Sequence, residues 1–143
     1  MIRLNKRMLF SIEAVLDIAC NQGESPVRSI DITQREGIPA RYLEPVLQGL
    51  VRNGILVGIR GPAGGYRLAR AAEDISLGDI VRIFQAVDTK EGSDADLSGS
   101  VSGREVVHLL WIEAQKEMMR RLDAISIEEL RARATRPTVK PLG

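Results

Sequence analysis

Residues 58–70, "GIRGPAGGYRLAR", place four glycines, a proline and three arginines within thirteen positions. Such a stretch suits phosphate chemistry. Glycine leaves the backbone bare, so amide groups can come close to an anion. Arginine offers planar donors matched to phosphate oxygens. The stretch is not a nucleotide-binding P-loop, because no Lys-Ser or Lys-Thr pair follows "GPAGG". Other reactive residue types are sparse. The chain has one histidine, His108, and one cysteine, Cys20. No nucleophile stands in a motif with a base, so no catalytic residue is assigned and the chain does not read as an enzyme. One cysteine permits neither an intrachain disulfide nor an all-cysteine metal site. Cys20 reads as a small apolar residue buried at a helix end. The alternative is a thiol switch, but nothing near it in sequence would lower its pKa.

The total charge, +1 over 143 residues, carries no message, but its distribution does. Residues 28–70 hold seven arginines against Asp31, Glu36 and Glu44, whereas residues 86–143 hold nine bases and ten acids. A basic segment in a neutral chain is either a solvated charged surface or a face turned to phosphate. Only five residues are Phe, Trp or Tyr, so the core must be aliphatic and platforms for stacking single-stranded bases are not expected. No stretch is apolar for the roughly 18 residues a membrane span requires. Glu13 and Asp17 also interrupt the apolar start, so it is not a signal-peptide core. A cytoplasmic protein with no membrane partner is expected, consistent with one free cysteine.

The elements that position these residues follow from periodicity and breakers. Residues 5–20 predict an amphipathic helix with Leu9, Ile12, Leu16 and Ala19 on its apolar face and Val15 and Cys20 beside them. "VRSIDITQREG" predicts a helix of about two turns stopped by Gly37. "IPARYLEPVLQGLVRNG" predicts another, with Leu43, Val46, Leu47 and Leu50 inward, Pro45 removing one hydrogen bond, and Gly54 ending it. "ILVGIR" and "YRLAR" predict two strands joined by "GPAGG". "ISLGDIVRIFQAV" predicts a helix capped by Ser76 and Asp79. Residues 88–103 predict a polar loop. "REVVHLLWIEAQKEMMRRLDAIS" predicts the longest helix, with Val106, Leu109, Leu110, Trp111, Met118 and Leu122 as a wide apolar stripe. "ISIEELRARA" predicts a short one.

Two helices joined by "EGIP" fit a helix-turn-helix, and a hairpin directly after them fits the wing of a winged helix. The fold class is therefore mainly α, with a two-stranded hairpin wing. A wing lies along a phosphate backbone or dips into the minor groove, where Arg60 suits the narrow, negative channel. Winged helices also serve as protein-interaction modules, and the pattern alone leaves both readings open.

"RYLEPVLQGLVRNGILVGIRGPAGGYRLAR" followed by "ISLGDIVRIFQ" resembles the IscR–NsrR–CymR family of bacterial winged-helix transcription regulators, the Rrf-two family. The similarity runs from about residue 8 to residue 111. It implies a sequence-specific regulator, read as a repressor, that binds a partly palindromic double-stranded DNA operator as a homodimer. It also implies a division of the chain. Residues 1–87 are the DNA-binding domain, 88–103 a flexible loop, 104–134 a dimerisation helix with a short following helix, and 135–143 a loose tail. By resemblance the helix from Pro39 to Asn53 is the recognition helix, with Ala40, Arg41, Tyr42 and Glu44 on or near the turn that enters the major groove. Arg28 and Ser29 touch phosphate, and Arg60, Gly61, Gly64 and Gly65 form the wing. Leu109, Leu110, Trp111, Met118 and Leu122 face the second subunit.

Many members of that family hold an iron–sulfur cluster through three cysteines before the long helix. Here the matching positions fall near Ser93, Gly99 and Glu105, so no cofactor and no metal ligand is expected. His108 matches a position that ligates iron in some members and reads here as a polar contact at a helix start. A partner protein or a small-molecule effector is left to carry the signal.

Overall fold

In a computed structural model describing residues 4–85 and 101–134, six α-helices and one two-stranded antiparallel sheet follow each other in the order expected. Helix α1 spans Lys6–Asn21, and the Asn5 side chain caps it by accepting from the Met8 amide at 2.9 Å. The inward face of α1 differs from expectation. Met8, Ala14, Val15 and Ile18 are buried, whereas Leu9 is 40% exposed and Ile12, Leu16 and Ala19 are half-buried. The helix carries two apolar stripes, and a remote partner decides between them. Burying the first stripe also buries Asp17. The carboxylate of Asp17 is met by Arg35, whose Nε and Nη2 donate to it at 2.9 and 2.8 Å.

Helix α2, Ser29–Glu36, ends at Gly37 with φ 69°. Helix α3, Ala40–Arg52, begins after Pro39 and turns Leu43, Val46, Leu47 and Leu50 into the core. Pro45 sits on its exposed side, where water can serve the carbonyl left without a helical donor. Strands β1, Leu56–Ile59, and β2, Gly65–Leu68, pair with Leu56 opposite Leu68 and Ile59 opposite Gly65. An additional bridge joins β2 to Val27, two residues before α2. The Val27 amide donates to the Tyr66 carbonyl at 2.9 Å, and the Tyr66 amide returns a bond to Val27 at 2.7 Å. The hairpin is thereby clamped to the start of the helix-turn-helix.

Helix α4, Leu77–Gln85, opens with the expected reciprocal cap. The Ser76 amide donates to Asp79 Oδ2 at 3.1 Å, and the Asp79 amide donates to Ser76 Oγ at 3.0 Å. The long helix α5 spans Val101–Asp123, beginning three residues before the expected start at 104. Helix α6, Ile127–Ala134, returns to the first half of the chain. The Leu77 amide donates to the Ile125 carbonyl at 2.9 Å, and the Ile127 amide donates to the Ile75 carbonyl at 2.8 Å. The Ile127 side chain is fully buried with the core of α1–α4. Residues 88–100 of the expected loop and the expected tail 135–143 lie outside the described residues. Among the described residues no helix is long and apolar enough to cross a membrane.

Candidate nucleic-acid interface

The start of α2, the outer side of α3 and the hairpin converge on an open groove of about 740 Å³. Arg28, Ser29, Arg60, Gly61, Gly64 and Gly65, six of the expected contact residues, line it together. Gln48 and Arg52 also line it and were not singled out from sequence. Helical spacing could have found them, since they follow Arg41 by seven and eleven positions and share its outer face.

Hydrogen bonding and ion pairing sort the seven arginines of residues 28–70 into two sets. Arg35 is committed to Asp17, and Arg67 donates to the carbonyls of Gly23 and Glu24 at 2.7 and 2.5 Å. Arg70 lies 3.7 Å from Asp79, and Arg28 pairs with Asp31 at 3.3 Å on the surface. Arg41, Arg52 and Arg60 are exposed, and no described acid pairs with them. The charge excess of the segment therefore sits on the outer side of α3 and on the hairpin loop.

Two glycines of the hairpin are needed by the fold itself. A Cβ on Gly64 would collide with the Ile59 carbonyl across the turn. A Cβ on Gly65 would stand 2.5 Å from the Val27 carbonyl oxygen, where the hairpin meets the start of the helix-turn-helix. The bare backbone thus first serves internal packing, with closeness to a ligand as a second use.

The first turn of α3 divides. Ala40 and Glu44 are exposed, and Glu44's charge reaches the Tyr66 phenol, whose pKa is raised by desolvation first and by Glu44 second. Arg41 and Tyr42 instead line a separate hollow toward α1 and α4. The Arg41 guanidinium stacks over the Tyr42 ring, 4.8 Å from its centroid. The Tyr42 ring stands 6.0 Å from that of Phe10. On α5, Leu109, Leu110 and Trp111 are more than half exposed and Met118 is 47% exposed. Leu122 departs from them, since it packs against the core of its own chain one turn beyond Met119.

A helix-turn-helix followed by a clamped hairpin, with exposed arginines on the outer side of its second helix, defines a winged-helix DNA-binding protein. The profile of the family described as "Rrf2: Iron-dependent Transcriptional regulator" matches residues 4–133, and the chain belongs to that family of bacterial transcription regulators. It is 35% identical over 130 residues to the HTH-type transcriptional regulator IscR of Photobacterium profundum, covering 90% of this chain and 74% of that one. It is 34% identical over 131 residues to IscR of Erwinia tasmaniensis, covering 90% and 78%. Among solved structures, T. potens IscR superposes with a TM-score of 0.75 at 29% identity, over 92% of this chain and 88% of the other. CymR, the global cysteine regulator of B. subtilis, superposes with a TM-score of 0.73 at 25% identity, over 92% and 98%. These relatives are regulators of transcription and not enzymes.

The family description names iron, and the donor set of this chain does not fit an iron–sulfur cluster, whose terminal ligands are thiolates. The single cysteine, Cys20, lies near the end of α1, while His108 is on α5. Of the positions matched to family cysteines, Glu105 is an exposed carboxylate on α5, and Ser93 and Gly99 lie outside the described residues. Among the described residues no three His, Cys, Asp or Glu side chains group to hold a metal ion. Cys20 is exposed and not buried as expected. Its thiol pKa is raised, by desolvation first and then by nearby carboxylates, against the pull of Arg131. A raised thiol pKa is the opposite of nucleophilic activation.

Proposed function

We propose that this protein is a repressor that binds a partly palindromic operator in double-stranded DNA as a homodimer. The observation that supports it most is the convergence of Arg28, Arg52 and Arg60 on one groove that α2, α3 and the hairpin all border. A phosphate backbone laid in that groove places the outer side of α3 in the adjacent major groove and the hairpin loop over the minor groove. Arg41 and Glu44 then read base edges, Arg41 toward guanine and Glu44 toward the cytosine amino group. Ser29 and the Gly61 amide donate to phosphate, the side-chain-free Gly64 and Gly65 let the hairpin backbone come close, and Ala40 and Tyr42 flank them. Residues 1–87 act as the DNA-binding unit, to which α6 returns. The exposed Leu109, Leu110, Trp111 and Met118 of α5 meet the second subunit, because so large an apolar surface is unfavourable in water. The operator lies in the bacterial cytoplasm, and the protein acts there. Without a cluster of its own, it takes its signal from a partner protein or a small ligand.

Selection from randomised duplexes, followed by anisotropy titrations at several salt concentrations, tests this reading. The expected result is one enriched sequence with half-sites related by a two-fold axis, and an affinity falling steeply with salt as counterions are released. Enrichment of no sequence would leave the protein-interaction reading in its place.

A further inference from the structure

Beside the groove, with Arg52 on the border of both, the N-terminal part of α1, α3 and the end of α4 surround a hollow of about 670 Å³. Its wall is aromatic and its rim is cationic. Phe10, Tyr42 and Phe84 supply the wall, and Lys6, Arg7 and Arg41 stand at the rim. Among the described residues no carboxylate lines it, and none pairs with these three cations. Gly49 lies in its lining, close enough to Phe84 that a methyl group there would touch the ring at 3.4 Å. The Phe10 and Tyr42 rings, 6.0 Å apart and inclined at 42°, form a tilted aromatic pair along the wall.

We propose that this hollow binds a small aromatic carboxylate, its ring against Phe10, Tyr42 and Phe84 and its carboxylate against Lys6, Arg7 and Arg41. The size suits a compact organic ligand, for which concave sites of roughly 300–1,000 Å³ with few polar groups are usual. The charge selects an anion, because three cations with which no described acid pairs line one hollow. The aromatic wall selects a ring over a bare inorganic anion. The regulatory consequence rests on the DNA reading above. Arg41 and Arg52 border this hollow and also stand on the outer side of α3, so a carboxylate that draws Arg41 toward α1 withdraws it from DNA. The ligand therefore lowers operator affinity.

Isothermal titration of the full chain with 3-phenylpropionate tests the site directly, with no DNA present. One site per chain is expected, with the neutral alcohol 3-phenylpropanol at least tenfold weaker and inorganic phosphate not competing. The double variant Lys6→Glu/Arg7→Glu changes only exposed charges and should weaken the acid at least tenfold. Tyr42→Ala, also at an exposed residue, should do the same, with circular dichroism confirming that both remain folded. Absence of binding to 10 mM, equal affinity for acid and alcohol, displacement by phosphate, or unchanged affinity in both variants would each overturn the proposal. Binding only to a monomeric variant would show that a second copy covers the hollow, and would overturn it too. In the operator assay the acid should lower affinity at least threefold at constant ionic strength. Unaltered operator affinity alongside clear calorimetric binding overturns the coupling, whereas a protein with no operator affinity overturns the DNA reading and leaves the calorimetry standing.

Discussion

Helices α3 and α5 are both rich in aliphatic residues, and the structure treats them in opposite ways. On α3, Leu43, Val46, Leu47 and Leu50 recur at helical spacing and are at most 2% exposed. On α5, Leu109 and Leu110 are each 59% exposed and Trp111 is 51% exposed. Among the described residues of α5, Met119 and Leu122 on its half-buried edge pack against the core of its own chain. The winged-helix half closes on itself, whereas the long helix leaves much of its apolar side exposed. A single apolar stripe can be fully covered from one side, whereas apolar residues spread around a helix leave part of that surface exposed when only one side is packed.

The sharpest way to break this contrast is to charge the exposed side of α5. Leu110→Glu should convert a dimer into a monomer in light scattering. The thermal midpoint of the winged-helix half should stay nearly unchanged, because Leu110 contributes nothing to its core. Operator affinity should fall about 10²–10⁴-fold, since two linked half-site contacts become one. A variant that remains a dimer with full affinity would place the interface elsewhere.

The same operation on α3 should fail in the reverse sense. Leu47→Ala removes a fully buried side chain and should destabilise the fold by about 2–5 kcal/mol. The urea midpoint falls while its slope is retained. A loss below about 1 kcal/mol would mean that α3 is held by something other than this face.

How much of this was legible in the sequence depends on how far away the deciding partner lies. The inward face of α3, the Ser76–Asp79 cap and the Gly37 stop are local and were readable from spacing alone. The inward face of α1 was not, because Arg35, eighteen positions on, selects it by neutralising Asp17. The role of Gly65 was also hidden, since the Val27 carbonyl it must clear belongs to another part of the chain. For the candidate interface, the residue types were legible but their grouping was not. Arg28 and Arg60 share a groove, while Arg41 and Tyr42 border another hollow, and nothing in the spacing separates them. The assignment of free and committed arginines likewise needed the tertiary contacts.

That assignment yields a finer comparison within the hairpin. Arg60 has no described acid partner, whereas Arg67 holds two backbone carbonyls. Arg60→Ala should weaken operator binding by about 1–3 kcal/mol and lower the salt slope by about one unit, with no change in stability. Arg67→Ala should instead cost about 1 kcal/mol of stability and leave the salt slope alone. Anisotropy titrations and urea melts on the two variants separate these effects. Equal behaviour of the two would erase the distinction between a reading arginine and a structural one.

The smallest expected effect lies where α1 meets α2, and it concerns pH. Glu36 has a pKa raised to about 7, by desolvation first, then by a hydrogen bond that its protonated form donates to Asp17, then by the charges of Asp17 and Glu13, with Arg35 opposing. The folded chain therefore holds a proton on Glu36 more tightly than the unfolded chain does. Between the ordinary glutamate range and pH 7 the native state binds more protons, so stability falls as pH rises through that window and levels off above it. Glu36 is an exposed residue, and water screens its neighbours, so the contribution is below about 1 kcal/mol. Glu36→Gln keeps the shape and removes the titration. It should leave stability near pH 5 almost unchanged and raise it slightly at pH 8, flattening this part of the profile. Chemical melts of both proteins from pH 5 to pH 8 measure the difference, and parallel profiles would show that the Asp17–Arg35 pair alone sets the electrostatics of the junction.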